Sequence, residues 1–146
     1  MNHSKLEEKE IELECNVDED IYIIIEKLSF INSVMNTLLR NAIKYSYPKS
    51  KIFISARKSK DADEVILSVK DYGIGIPEQI QENLFRINIP TTREGTAGET
   101  GIGIRMALLK KLINAYGGRV EIKSSTKTSD PWTEVLLYLS LRNIKN

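Results

Sequence analysis

One cysteine, Cys15, and one histidine, His3, are all that the 146 residues contain of either type. An internal disulfide is therefore impossible, and a reducing, cytoplasmic setting is the expectation. No apolar run approaches the ~20 residues needed to cross a bilayer, and the charged Met1–Glu10 stretch does not read as a signal peptide. The formal net charge is only +1, which argues against nucleic acid or an anionic membrane surface as the main partner. The two commonest nucleotide signatures are missing too. No Gly-Lys-Ser/Thr follows a glycine-rich stretch, and neither Gly73 nor Gly101 begins a Gly-x-Gly-x-x-Gly run.

What is present is the balance of a soluble globular domain, 41% hydrophobic and 28% charged. The length suits one domain with a two-layer core. Residues 1–9 are polar and read as a linker, residues 10–141 as the folded unit, and 142–146 as a tail. Ile11, Leu13, Cys15 and Val17 alternate with polar residues, the period of a half-buried strand. From about Glu26 to Tyr45 the spacing becomes helical, with Leu28, Ile31, Val34, Leu38 and Ala42 inward, and Pro48 stops that helix. Ile52, Ile54 and Ala56, then Val65, Leu67 and Val69, predict a hairpin. Pro77 opens a short helix through Phe85, and residues 86–100 read as a long functional loop. A second helix over about 101–116 turns Ala107, Leu108, Leu112 and Ile113 inward and stops at Gly117-Gly118. Two closing strands, 119–125 and 132–141, follow. The expected fold class is α+β: a two-layer sandwich whose mixed, mostly antiparallel sheet carries its helices on one face.

Three separated segments point to one ligand. Thr37, Asn41, Lys44 and Tyr45 fall on one stripe of the first long helix at ~3.6 residues per turn. There a carboxamide suits a hard cation, an ammonium a phosphate, and a phenol ring a purine. Asp71 shares the inward parity of Val65, Leu67 and Val69, and a buried carboxylate needs hydrogen-bond donors, such as an exocyclic amine. Gly73 and Gly75 then leave backbone bare beside it. Gly101 and Gly103 open a helix, whose free N–H groups suit an anion. Taken singly, the helix stripe also fits a solvated flank, and Asp71 also fits a turn residue capping the helix at Pro77.

Together these segments resemble the catalytic, ATP-binding domain of sensor histidine kinases. Asn41–Ser46 resembles the N box and Asp71-Tyr72-Gly73-Ile74-Gly75-Ile76-Pro77 the G1 box. Leu84-Phe85 resembles the F box, and Thr100–Ile104 with Ala115–Val120 the G2 box and what trails it. The resemblance covers roughly residues 10–141. It implies a Bergerat-type sandwich, Mg·ATP as ligand, and transfer of the γ-phosphoryl group to a histidine on a separate dimerisation domain, with a response regulator downstream. It further implies that Asn41 holds Mg²⁺, that Lys44 faces phosphate and that Tyr45 and Ile76 line the adenine pocket. Asp71 would bind the adenine amine, assisted by Thr133 through a water. Gly73, Gly75 and Thr100, Gly101, Ile102, Gly103 and Ile104 would wrap the nucleotide, with 86–100 as a lid and Arg93 as its cation. No contact of this domain with membrane or nucleic acid is implied, although parent proteins of this kind are often membrane-anchored elsewhere.

The chain departs from the family pattern in four places. Thr37 stands one turn before Asn41 where an Asn is usual, and where related ATPases keep a catalytic Glu; its hydroxyl would order a metal-bound water. Asn88 replaces the second Phe of the F box, Glu99 the first Gly of the G2 run, and Trp132 a Gly before Thr133. His3 lacks the sequence context of a phosphoacceptor. Two alternatives share the fold: a degenerate module that binds nucleotide to regulate a partner, and a serine kinase of the anti-sigma type. The absence of an acidic residue at position 37 counts against the second.

Overall fold

The computed structural model describes residues 3–59, 63–84, 95, 105–127 and 129–141. Among the described residues, five strands form one sheet, β1(Glu12–Val17), β2(Lys51–Lys58), β3(Glu64–Asp71), β4(Arg119–Ser125) and β5(Trp132–Ser140), in the spatial order β1-β2-β3-β5-β4. The β1–β2 pair is parallel and the other three are antiparallel, so the sheet is mixed and mostly antiparallel, as expected. The described helices are α1(His3–Lys9), α2(Glu19–Glu26), α3(Ile31–Tyr45), α4(Glu78–Asn83) and α5(Arg105–Ala115). One core lies between the sheet and the helices. Ile52, Val65, Leu67, Val69, Leu137 and Leu139 from the strands meet Val34, Leu38 and Ala42 of α3 and Met106, Leu109 and Ile113 of α5.

Several local expectations are corrected. Residues 3–9 are helical rather than a linker, with Leu6 packed against the core. The helix expected from Glu26 is two helices, because residues 27–30 turn between α2 and α3 while Leu28 anchors the turn in the core. The stretch Tyr22–Ile25 has β-branched, strand-like composition. It is helical here because Ile21 and Ile25 bury one face and Glu19 and Asp20 complement the helix start. Strand β1 is an exposed edge rather than half-buried, with Leu13 and Cys15 facing solvent. On α5 the inward residues are Met106, Ala107, Leu109 and Ile113, whereas Leu108 and Leu112 are exposed.

Other expectations hold. The stop of α5 is a two-bond cap: Gly118 N–H donates to Ile113 O (2.9 Å) and Gly117 N–H to Asn114 O (3.0 Å), with Gly117 at φ 87°. Helix α3 ends at Ser46, which is extended and pairs with Gly73 in an isolated antiparallel bridge. That bridge brings the end of α3 against the segment that follows β3.

Candidate functional site

Helix α3 buries Ile31, Val34, Leu38, Ala42 and Ile43, and this face fixes the direction of its margin. Thr37, Asn41, Lys44 and Tyr45 are all half-buried along that margin, as their spacing predicts. The Thr37 hydroxyl donates back to Ser33 O within its own helix (3.1 Å). The Lys44 ammonium lies 5.2 Å from the centroid of the Tyr45 ring.

Asp71 closes β3 and is 5% exposed. Its parity is set by the ladder: it pairs with Ile52 on β2 and with Thr133 on β5, both buried. Its Oδ1 accepts the Gly73 N–H (2.9 Å), a tight turn that starts the loop. The loop is then held at both ends. Ile74 N–H donates to Tyr45 O (3.0 Å), and Ile76 N–H donates to Ser124 Oγ (2.8 Å).

The glycines explain how the loop comes so close to its neighbours. A Cβ at Gly73 would sit 1.9 Å from Tyr45 O, and one at Gly75 would sit 2.2 Å from Ser125 O, with Gly75 also at φ 75°. Glycine is thus required where this loop passes between the end of α3 and the end of β4. Neither approach is visible in the sequence.

Thr133 is buried beside Asp71, and its hydroxyl lies 2.8 Å from Ser124 Oγ. The Ser124 hydroxyl also donates to Trp132 O (2.8 Å). Ser124 is a residue that sequence spacing missed. Only the register Ser124↔Thr133 on β4 and β5 shows that it joins Thr133 to the loop backbone. The candidate residues Arg93, Thr100, Gly101, Ile102, Gly103 and Ile104, together with Phe85, Asn88 and Glu99, lie outside the described residues.

The described part therefore unites the first two segments: the α3 margin and the Asp71–Ile76 loop meet at one β-bridge. The chemistry on offer is a buried carboxylate with hydroxyls beside it, then an ammonium, a carboxamide and a phenol along the helix. Among the described residues there is no cluster of three or more His, Cys, Asp or Glu side chains able to cage a metal. A cation here would need oxygen ligands from its ligand as well as from the protein.

Residues 26–143 match the family described as histidine kinase-, DNA gyrase B- and HSP90-like ATPase. The chain belongs to this family. ATP binding comes with membership, since the family is one of ATPases. Several known proteins are similar to this domain in sequence. The circadian input-output histidine kinase CikA of Synechococcus elongatus is 29% identical over 132 residues, 89% of this chain and 17% of its own length. The sensor histidine kinase WalK of Bacillus subtilis is 32% identical over 107 residues, 70% of this chain and 17% of its own length. The domain thus spans about a sixth of each of these relatives. Among solved structures, the mycobacterial sensor histidine kinase MprB superposes with a TM-score of 0.69 at 20% identity, over 94% of this chain and 88% of that one. That likeness bears on the fold, and it agrees with the α+β sandwich described above.

Proposed function

We propose that this ATPase-family domain is the catalytic domain of a sensor histidine kinase, binding Mg·ATP and giving its γ-phosphoryl group to a histidine on a dimerisation domain. The observation that carries the reading is Asp71: a carboxylate 5% exposed, at a strand end, one bridge away from a helix margin bearing Asn41, Lys44 and Tyr45. Buried carboxylates persist only with donors to satisfy them. The Gly73 N–H is among its donors, and the adenine amine joins them and also selects the base. Thr133, steadied by Ser124, holds a water between Asp71 and the ring.

Lys44 neutralises a phosphate, and Tyr45 and Ile76 line the purine. Asn41 offers an oxygen to Mg²⁺, a hard cation that takes few protein ligands and shares phosphate oxygens. Bound there, the ion supplies charge neutralisation across the phosphates. Phosphoryl transfer asks chiefly for positioning and for charges that meet the equatorial oxygens of a loose transition state. Lys44 serves that need, and Arg93 and the Thr100–Ile104 segment are assigned to it from the family pattern. Thr37 keeps no carboxylate at the turn before Asn41, and its hydroxyl is engaged by its own helix. Among the described residues, that turn offers no base to activate water, which favours transfer to a protein acceptor over hydrolysis. The acceptor histidine, and the response regulator beyond it, belong to other parts of the system.

The deciding experiment supplies a dimerisation domain and γ-labelled ATP, and looks for label on its histidine. Transfer that requires both Mg²⁺ and Asn41 is the expected result. Firm, Mg²⁺-independent ATP binding without transfer would instead make this a regulatory nucleotide-binding module.

A further inference from the structure

One buried charge has no part in the scheme above. Lys9, in the last turn of α1, is 8% exposed. Its Nζ donates to Ile43 O (2.8 Å), Lys44 O (3.1 Å) and Ser46 O (3.3 Å). An ammonium has three donors and no acceptor, and each of these three oxygens lies at the C-terminal end of α3.

The last carbonyls of a helix have no partner within it and must find one elsewhere. At the end of α3 they can be followed one at a time. Ala42 O accepts from Ser46 N–H (3.0 Å) and from the Ser46 hydroxyl (2.5 Å). Ile43 O accepts from Ser46 N–H (3.3 Å) and from Lys9, while Lys44 O accepts from Lys9. Tyr45 O accepts from Ile74 N–H (3.0 Å). The turn bearing Lys44 and Tyr45 is therefore gripped from two sides, by the α1 ammonium and by the backbone of the Asp71–Ile76 loop. The positive charge also meets the negative end of the helix dipole. A further tie binds the same corner: Lys9 O accepts the Lys49 N–H (2.8 Å), fixing the turn just after α3.

We propose that Lys9 is a positioning residue of the nucleotide site. By holding the carbonyls of Ile43, Lys44 and Ser46 it fixes the backbone from which Lys44 and Tyr45 project. Through the Ser46–Gly73 bridge and the Ile74–Tyr45 bond it also sets how far that margin stands from Asp71. Burying an ammonium is costly unless its hydrogens are matched, and three matching oxygens belong to one turn beside the site. The inference rests on the ATP reading and goes beyond it by naming a residue that touches no ligand.

The test uses Lys9→Met, which keeps the stem and removes the three donors. Two measurements are made on the 146-residue chain: hydrogen exchange of the Ser46 and Ile74 amides without nucleotide, and ATP affinity by calorimetry. Exchange at both amides should accelerate, and affinity should fall about tenfold, the scale of a lost charge-assisted hydrogen bond. Leu139→Val serves as the control, since Leu139 is buried opposite Val65, at the other end of β3 from Asp71. It should lower the melting temperature while leaving affinity and the two amides as in wild type. Should Lys9→Met not fold, Lys9→Gln, which keeps an amide donor, takes its place with a smaller effect in the same direction. Wild-type exchange at Ser46 and Ile74 together with an affinity equal to the control's would overturn the inference. A wild-type chain that does not bind ATP overturns the functional reading, and this inference with it.

Discussion

On the proposed ATP reading, Asp71 holds the loop backbone and also meets the adenine amine. Oδ1 holds the Gly73 N–H, a bond that an asparagine oxygen can keep. The other position would then carry an NH₂ group facing the adenine amine, donor against donor. Asp71→Asn should therefore fold normally, with an unchanged circular dichroism spectrum. It should bind ATP more weakly by about 2 kcal/mol, near thirtyfold, as expected for a hydrogen bond to a charged group. Calorimetry giving wild-type affinity would show that the purine lies elsewhere. Gly73→Ala tests the backbone beside it. A methyl 1.9 Å from Tyr45 O cannot be accommodated without moving the loop or the end of α3. A loss of roughly 1–3 kcal/mol in urea unfolding is the expected outcome for such overpacking, with nucleotide affinity falling as well. Asp71 was legible in the sequence because strand parity alone fixes its face. Ser124 and Lys9 were not. Each matters through a partner distant along the chain, Ile76 for Ser124 and Ile43–Ser46 for Lys9, and such pairings come only with the fold.

Among the elements, α3 and α5 show why one helix was readable and the other only partly so. The apolar residues of α3 form a single stripe flanked by polar ones, so burial follows from spacing. On α5, Leu108, Leu109, Leu112 and Ile113 crowd two adjacent stripes, and periodicity cannot say which one meets the sheet. The structure chooses Leu109 and Ile113. Ile113→Ala should accordingly cost about 2–5 kcal/mol in chemical denaturation, whereas Leu108→Gln should stay within about 0.5 kcal/mol of wild type. Equal losses for the two would mean that the helix is rotated. Edge strand β1 was assigned in the sequence but given the wrong exposure, since alternation does not distinguish an edge from a covered strand. Its pairing with β2 places Lys51 opposite Glu12, with Glu14 nearby. The hydrogen bond to Glu14 and then the charge of Glu12 raise the Lys51 pKa above 10.5. A raised ammonium contributes its stability in full below the unfolded value and loses it as pH rises through the folded one. The melting-temperature difference between wild type and Lys51→Met should hold steady through neutral pH and close only above 10.5. Being solvent-exposed, it should also shrink with added salt.

For the molecule as a whole, the α+β class and the mixed sheet followed from the order of periodic segments, because two-layer packing leaves few arrangements for that order. The strand order β1-β2-β3-β5-β4 was beyond reach of the sequence, since local pattern says nothing about which strand lies beside which. That order gives β5 a particular duty. The last of the described strands in sequence lies between β3 and β4, pairing with Glu64–Asp71 on one side and Arg119–Ser125 on the other. During synthesis, β4 emerges with no neighbour to join, and β3 has only β2. A nascent chain halted before Trp132 would leave the facing edges of β3 and β4 open in addition to the outer edges of the sheet, the kind of surface that recruits other chains. Ribosome-stalled products ending before residue 132 should thus aggregate or be captured by chaperones. Those that include residues 132–140 should become protease-resistant in one step, as the keystone strand closes the sheet and seats Thr133 beside Asp71 in the same motion.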